Sequence, residues 1–271
     1  MNRNSNTYTV IYATVLTVLV AVGLALAAIG LKPQQQANAA NEQKQQVLSA
    51  IKSVLSEEPT FDNAAALWEQ LDMDANMFVV NPQGEKVEGV SAFSINTKAQ
   101  FSKGAVIENA TLPVYCATVD GKTYYIMCMY GAGLWGPVWG YLSVESDGNT
   151  VAGATFDHAS ETAGLGAKIK DDPAFAASFV GKKLFNNGQF SSIAIAKKGK
   201  EPKDGSSYTD AISGATLTCN GVTEMIRSSI GGYVAFLQSL NAAGQCQHAC
   251  GTCEKSEGCT ATTNVESENN Q

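Results

Sequence analysis

The sequence predicts an α+β protein, with a single N-terminal transmembrane helix followed by one domain of largely antiparallel sheet and packed helices. Three observations lead to this fold class. A run of 22 residues without a charge lies near the N-terminus, at 10–31. Short apolar segments separated by turn sequences fill the middle of the chain, which is typical of antiparallel strands. An amphipathic pattern at three- and four-residue steps follows at 220–241 and predicts a helix.

Composition narrows the classes of function. The chain has 271 residues, which allows one sizeable domain or two small ones. Its net charge is −7, whereas a protein that binds nucleic acid through phosphate contacts should be basic, so no nucleic-acid partner is expected. Apolar residues reach 45%, which excludes wholesale disorder. The mean hydropathy of −0.06 excludes a polytopic membrane protein.

The apolar run Val10–Leu31 predicts a transmembrane helix, since at about 1.5 Å per residue it spans a hydrocarbon core of roughly 30 Å. A cleaved signal peptide is the competing interpretation, because Ala37-Asn38-Ala39 resembles a small-x-small cleavage site. The run is longer than a signal-peptide core of roughly 7–15 residues, so we predict an uncleaved anchor after a short segment, 1–9. Positive charges flank the run on both sides and do not fix its orientation. Because so few residues precede it, the folded domain must lie on its far side.

Residues 32–60 are predicted to form a helical stalk. The segment after Leu31 is rich in Gln, Asn and Ala, and apolar residues then recur at helical spacing from Val47 to Leu55. Glu57-Glu58-Pro59 is expected to end that helix. A second short helix is predicted at 64–71, within a domain that extends from 61 to 241.

Turn sequences divide the next region into strands. Asp120-Gly121 is a strong signal for a two-residue hairpin, and Asp147-Gly148-Asn149 marks a second turn between strands. A basic turn at 197–200 follows the last predicted strand. The predicted strands are 77–80, 114–119, 122–129, 140–144, 150–156 and 191–196.

The last regular element is predicted to be one helix from about Asn220 to Asn241. Gly231-Gly232 lies inside it and costs up to about 1 kcal/mol per glycine relative to alanine, so a break is expected there if the helix has one. A polar tail, 242–271, carries four of the seven cysteines.

The segment 210–218, DAISGATLT, is the most informative about chemistry. Three small residues precede the hydroxyl of Thr216, and small side chains let another molecule approach the backbone. A helix follows within a few residues, and free N–H groups at a helix start favour an anion such as phosphate. The residues alone leave two interpretations open: a phosphate near Thr216, or an ordinary loop with Thr218 or Asn220 capping the helix. Gly-Ala-Thr also occurs at 153–155, so the tripeptide does not decide between them.

The run from Asp210 to Thr216 resembles the D-x-x-[ST]-G-A-T signature of a family of proteins that carry covalently attached FMN. Two other segments agree with this resemblance. Residues 133–136, GLWG, are similar to the family's G-L-W turn, and residues 158–166, HASETAGLG, are similar to its H-x-x-E-T-x-G-L-G loop. Ala163 replaces the usual proline of that loop, which is expected to loosen it. With the anchor, the similarity extends from the first residues to about Asn241.

The resemblance implies that a separate flavin transferase esterifies Thr216 with the flavin phosphate. Asp210 and Ser213 would belong to the recognition motif, and Gly214 and Ala215 would give close access. No catalytic residue is implied, since a flavin that passes electrons needs tuning and distance rather than a nucleophile. The further flavin-site residues that the resemblance implies are Trp135, Glu161, Thr162, Leu165, Gly166 and Lys198. Without the resemblance, Trp135 could equally pack in a core, and Glu161 and Thr162 could form a solvated turn.

Within this family, the chain is most similar to the FMN-carrying subunit of the sodium-translocating NADH:quinone reductase (Na⁺-NQR). Its counterpart in the related Rnf electron-transport complex, which has the same FMN motif, is second. The resemblance implies an electron-transfer subunit, inactive alone, in a membrane complex that couples electron flow from NADH to quinone with sodium export. It implies the cell inner membrane as location, with the FMN domain on the periplasmic side. Two alternatives of other classes stay open: an anchored binding or assembly protein without cofactor, and a metal-binding protein acting through its tail.

The cysteines give weaker indications. Cys116 and Cys128 fall in the two strands of the first predicted hairpin, either as two buried thiols or as a disulfide, and Cys219 is expected at the start of the last helix. The tail spacing C-x3-C-x2-C-x5-C matches no strong ligand pattern, and no metal site is assigned to it. Zinc, an iron–sulfur cluster and disulfides all remain options for it. These four residues are Cys246, Cys250, Cys253 and Cys259.

Overall fold

The computed structural model of the chain describes residues 6–102, 105–197 and 199–251. A short 3-10 helix at Ala92–Ser94 accompanies its α-helices and strands. The helices are α1 (Asn6–Ser49), α2 (Ala64–Gln70), α3 (Thr97–Gln100), α4 (Lys168–Asp171), α5 (Pro173–Ala177), α6 (Thr216–Gly231) and α7 (Val234–Gly251). The strands are β1 (Met77–Val80), β2 (Phe101–Ser102), β3 (Ala105–Val106), β4 (Leu112–Val119), β5 (Lys122–Ala132), β6 (Pro137–Glu145), β7 (Val151–His158), β8 (Phe185–Asn186), β9 (Gln189–Phe190), β10 (Ile193–Ala196) and β11 (Ser207–Asp210).

Helix α1 runs through Pro33 and is long and apolar enough to cross a membrane, by length and composition. The prediction of a separate helix from Val47 to Leu55 is wrong, because α1 continues to Ser49 and turns follow it. The Gln- and Ala-rich segment favours helix and carries α1 onward. The helix ends where the chain meets the sheet: the hydroxyl of Ser143 donates to the carbonyl of Ala50 at 2.6 Å.

Five antiparallel strands form the main sheet, in the order β1-β4-β5-β6-β7. The predicted strand 77–80 and both predicted hairpins are confirmed, with β5 and β6 extending further than expected. Asp120 and Gly121 both have positive φ, as the two-residue hairpin turn requires. The sheet is therefore the antiparallel meander that the turn sequences predicted, and β4 to β7 follow one another in chain order.

The two faces of the sheet are covered by different helices. On one face, the end of α1 packs so closely that a β-carbon built on Gly153 of β7 would lie 2.4 Å from the carbonyl oxygen of Ala50. On the other face, α6 crosses β5, where a β-carbon on Gly131 would lie 2.6 Å from Cβ of Met225. The side chains of Val47 and Leu48 at the end of α1 are fully buried in the same apolar cluster as the sheet.

The closing region differs from the prediction in two ways. The predicted helix 220–241 is two helices, α6 and α7, with Gly232 and Tyr233 between them; α6 begins earlier, at Thr216, and α7 continues to Gly251. The break occurs because Gly232 has no room for a side chain, and because Tyr233 turns inward to donate its hydroxyl to the carbonyl of Pro113 at 3.0 Å.

The strand predicted at 191–196 is present from Ile193, but it is not the last strand. Strand β11 follows and pairs with β10 in parallel, with Ala196 opposite Asp210. Its sequence, SYTD, has no apolar alternation that could have predicted it. This pair brings the chain to the start of α6, which packs on β10: the hydroxyl of Thr223 accepts the N–H of Ile195 at 3.0 Å.

Candidate functional site

The segment that carries the predicted flavin signature is a turn between β11 and α6. Asp210 is exposed at the end of β11, and the carbonyl of Ile212 accepts the N–H of Ala215 at 3.2 Å, which closes a tight turn through Ser213 and Gly214. Gly214 has φ +80°, a conformation that favours glycine at this position of a turn. The signature therefore forms a compact turn that leads directly into a helix.

Thr216 is the first residue of α6, and its side chain is exposed. The helix's own bonds begin with the N–H of Cys219 on the carbonyl of Ala215, at 2.9 Å, so the amides of its first turn have no partner within the helix. The interpretation in which Thr218 or Asn220 caps the helix is wrong, because Ala215 occupies the N-cap and provides no capping side chain. The start of α6 thus presents a hydroxyl together with amides that suit an anion.

The loop that follows β7 lies against this turn. Leu165 contacts Gly214 so closely that a β-carbon on Gly214 would lie 2.7 Å from Cδ2 of Leu165. The carbonyl of Thr162 accepts the N–H groups of Leu165 and Ala167, at 3.1 and 3.0 Å, which curls the loop. Thr162 and Leu165 are exposed, whereas Gly166 is buried beneath them. The two predicted motif segments are therefore in contact although 49 residues separate Leu165 from Gly214.

The predicted G-L-W turn is the third segment at this place. The N–H of Gly133 donates to the carbonyl of Gly136 at 2.8 Å, which closes the turn between β5 and β6. The hydroxyl of Ser160 donates to the carbonyl of Trp135 at 2.8 Å and joins the turn to the loop after β7. Trp135 is 66% exposed, which excludes the alternative that it packs in the core.

Glu161 differs most from its prediction. Its side chain is buried, with 8% exposure, and both carboxylate oxygens have partners inside the protein. Oε2 accepts the hydroxyl of Thr218 at 2.6 Å, and Oε1 accepts the backbone N–H of Trp135 at 3.0 Å. The alternative of a solvated turn is therefore wrong for Glu161, although it holds for the exposed Thr162. Thr218 was not among the predicted site residues; its hydroxyl two positions after Thr216 was the only signal for it.

A positive charge lies near the start of α6. Burial raises the pKa of the Cys219 thiol, while a backbone hydrogen bond at Ile212 and the charge of Lys197 oppose that increase. Lys197 therefore acts on the first turn of the helix, and it was not among the predicted site residues. Lys198, which was predicted, lies outside the described residues, so its role stays a prediction.

These features fit an FMN group held at the surface. An exposed threonine hydroxyl and open amides suit the phosphate, and large exposed apolar side chains beside them suit a ring system: Trp135 at 66%, Leu165 at 42% and Leu217 at 61% exposure. Two cavities of about 560 and 530 Å³ lie further along α6, beside Arg227 and Met225 respectively, and Thr216 lines neither. The fit is thus to a group bound on the rim of the domain.

The cysteines of the domain are free thiols. Cys116 pairs with Tyr125 across β4 and β5, so Cys128 lies three positions away along β5 and points to the opposite face of the sheet. This register excludes the disulfide between them. Cys246 and Cys250 fall within α7, and Cys253 and Cys259 lie outside the described residues, so the question of a metal in the tail stays open. Within the described ranges, no group of three or more potential metal ligands occurs.

Comparison with known proteins defines the class first. The sequence model of the FMN-binding domain family matches residues 133–231, which include the G-L-W turn, the loop after β7 and the start of α6. The chain is 31% identical to NqrC, the third-lettered subunit of the Na(+)-translocating NADH-quinone reductase, of Vibrio vulnificus, with 84% of this chain and 96% of the relative covered. It is 29% identical to the Vibrio anguillarum protein of the same name, over 90% of this chain and 98% of the relative.

Solved structures agree. The crystal structure of the same subunit of the Na(+)-translocating NADH-quinone reductase from Parabacteroides distasonis is 44% identical, with a TM-score of 0.68 over 76% of this chain and 96% of that one. The Shewanella oneidensis NqrC structure gives a TM-score of 0.60 at 25% identity, over 75% and 98%. The chain belongs to the NqrC family of Na⁺-translocating NADH-quinone reductase subunits.

Proposed function

We propose that this protein acts as the electron-transfer flavoprotein subunit, NqrC, of a Na⁺-translocating NADH-quinone reductase and that it carries FMN on Thr216. The observation that supports the attachment most directly is the exposed hydroxyl of Thr216 at the first residue of α6, beside open backbone amides. The proposed bond is a phosphoester between Oγ1 of Thr216 and the flavin phosphorus. A separate flavin transferase supplies the flavin phosphate from a phosphoanhydride donor, so that the new P–O bond forms as the anhydride bond breaks and the hydroxyl loses its proton.

The surrounding residues have distinct roles in this proposal. The exposed residues Asp210 and Ser213 present the turn to the transferase, and Gly214 and Ala215 leave the approach to Thr216 open. Trp135 and Leu165 offer apolar surface to the ring, and Thr162 and Gly166 shape the loop that carries Leu165. Glu161 lies below this surface, and Lys198, next to Lys197, contributes positive charge near the phosphate.

FMN, when bound, supplies reversible electron transfer. Residues 131–136, GAGLWG, match the G-x-G-x-x-G spacing of dinucleotide-binding proteins, but they form the end of β5 and the hairpin turn into β6. A dinucleotide site needs this sequence between a strand and a helix, so electrons from NADH enter through another subunit of the complex. The residues of this chain hold the group at one place and keep apolar side chains against it. A phosphoester does not dissociate, so the carrier stays loaded.

The single apolar helix α1 is consistent with a membrane anchor. We place segment 10–31 in the inner membrane and the domain on its periplasmic side. Trypsin added to intact spheroplasts should then cleave the domain, and protection of the domain in spheroplasts but not in inverted vesicles would reverse the orientation.

The attachment is tested on the full chain produced together with the flavin transferase. A denaturing gel should show a flavin-fluorescent band for the wild type, and mass spectrometry should find the added group on the tryptic peptide 204–227, which contains Thr216. Thr216→Ala should remove both signals. The chain offers a matched control in Thr155→Ala, since Thr155 ends the other Gly-Ala-Thr tripeptide, in β7; it should leave the band unchanged. A band that persists in Thr216→Ala would overturn the assignment.

A further inference from the structure

The buried carboxylate of Glu161 lies where the three segments of the flavin site meet. We infer that Glu161 is a positioning residue, which fixes Trp135 and the first turn of α6 relative to each other and does not contact the flavin itself. The inference rests on the proposed function, because it concerns the same site, but it assigns a role that the sequence motif does not. Glu161 was expected to line the flavin, whereas its contacts are all with the protein.

Two hydrogen bonds carry this role. The N–H of Trp135 belongs to the turn between β5 and β6, and the hydroxyl of Thr218 belongs to α6, two residues after Thr216. A single carboxylate accepts both, one on each oxygen. Trp135 and Thr218 are 83 positions apart in the sequence, so Glu161 sets the spacing between the exposed indole and the attachment residue.

The position of the carboxylate is itself restrained. A β-carbon on Gly133 would lie 2.4 Å from Oε1, and a β-carbon on Gly166 would lie 2.4 Å from Oε2 and 2.7 Å from Oγ1 of Thr218. The carboxylate therefore lies between two glycines that leave it just enough room. The backbone N–H of Glu161 also donates to Nδ1 of His158, at 3.2 Å, which fixes the start of the loop.

Charge argues against direct contact with the cofactor. A carboxylate beside a flavin phosphate or a reduced ring would place like charges together in a partly buried site, which is unfavourable. Here both carboxylate oxygens are already occupied by donors from the protein. A buried acceptor with two donors gives a defined geometry, and removal of the acceptor leaves two donors without a partner.

Two pairs of variants test the inference on the full chain, produced with the flavin transferase. Glu161→Gln can keep both bonds, since its amide oxygen accepts the N–H of Trp135 and its NH₂ donates to the hydroxyl of Thr218. Glu161→Ala removes both. Thr218→Ser keeps the hydroxyl, and Thr218→Val removes it with little change of shape. Glu108→Ala, at an exposed glutamate, is the control for loss of a carboxylate.

The readouts are the rate of flavin attachment and, in the loaded protein, the visible spectrum and midpoint potential of the flavin. Glu161→Ala and Thr218→Val should slow attachment by roughly tenfold, the ratio that corresponds to loss of one hydrogen bond to a charged group, and should shift the spectrum and the potential. Glu161→Gln, Thr218→Ser and Glu108→Ala should stay within about twofold of the wild type.

The inference is overturned if Glu161→Ala and Thr218→Val keep the wild-type rate, spectrum and potential. It is also overturned if Glu161→Gln behaves like Glu161→Ala while folded, because the charge and not the geometry would then matter. If Glu161→Ala does not fold, the comparison of Thr218→Val with Thr218→Ser decides. Thr216→Ala separates the two proposals: flavin retained in that variant contradicts the attachment, whereas unchanged Glu161→Ala beside a flavin-free Thr216→Ala contradicts only the positioning role.

Discussion

The α-carbon of Gly214 lies directly against the side chain of Leu165, so that a methyl group on Gly214 would be 2.7 Å from Cδ2. This contact joins the turn before α6 to the loop after β7. It leaves no room for any residue other than glycine unless the leucine moves, and the positive φ of Gly214 has the same requirement. The arrangement of the site thus depends on one small residue.

Gly214→Ala should therefore lower stability through two effects. Alanine at this φ costs about 1 kcal/mol or more, and the contact with Leu165 adds overpacking of about 1 kcal/mol. The free energy of unfolding in urea measures the sum. Gly164→Ala is the matched control, because Gly164 has φ +74° with nothing within 4 Å of its β-carbon position. Equal losses in the two variants would show that the Leu165 contact contributes nothing.

Gly153→Ala should loosen the end of α1 from the sheet. Its β-carbon would meet the carbonyl oxygen of Ala50 at 2.4 Å, and backbone cannot yield as a flexible side chain does. We expect a loss of about 1–3 kcal/mol in the free energy of unfolding and faster tryptic cleavage after Lys52, which follows that carbonyl. Gly231→Ala, with its nearest neighbour 3.9 Å away in Phe190, serves as the control and should be neutral or slightly stabilising. Wild-type cleavage at Lys52 in Gly153→Ala would contradict the close docking.

The thiols of the sheet should make stability fall at alkaline pH. Burial raises the pKa of Cys128 to about 11 and that of Cys116 to about 12. In the unfolded chain both have ordinary values near about 8.5, so the unfolded state loses protons first. Their contribution to stability is complete below that ordinary value and is lost as pH rises toward 11 and 12.

Urea unfolding under reducing conditions between about pH 8 and 9.5, below the ordinary pKa of tyrosine near about 10, measures this slope. The variant with Cys116→Ala and Cys128→Ala is the comparison, since the other titrating groups stay the same. Its stability should depend less on pH than that of the wild type. Identical slopes would mean that the two thiols titrate alike in the folded and unfolded states.

The sequence predicts the main sheet well because its turns are chemically distinctive. Asp120-Gly121 and Asp147-Gly148 mark their hairpins, and alternate apolar residues mark the strands between them. Strand β11 was missed because its short polar sequence is set by pairing with β10 rather than by burial of an apolar face. The start of α6 was placed four residues late because the first turn, TLTC, lacks the apolar periodicity of the rest of the helix.

The site was predictable as a set of segments but not as a set of contacts. The motif at 210–216 located Thr216, and similar runs located Trp135 and Leu165. No pattern in the sequence shows that the carboxylate of Glu161 meets Thr218, because that contact depends on how β6, β7 and α6 pack. The glycines at 133 and 166 were the available signal, since each occupies a place where a side chain would displace the carboxylate.

Helix α1 continues from the apolar segment into the core without a linker, and its polar part from Leu31 to Val47 has a length of about 24 Å at 1.5 Å per residue. A domain joined to its anchor by such a rod cannot swing freely about a hinge. Where the anchor lies in a membrane, the height of Thr216 above the lipid is fixed by helix geometry. Any approach to a partner then requires tilting of the whole rod, so the orientation of α1 in the bilayer becomes a determinant of the electron-transfer distance.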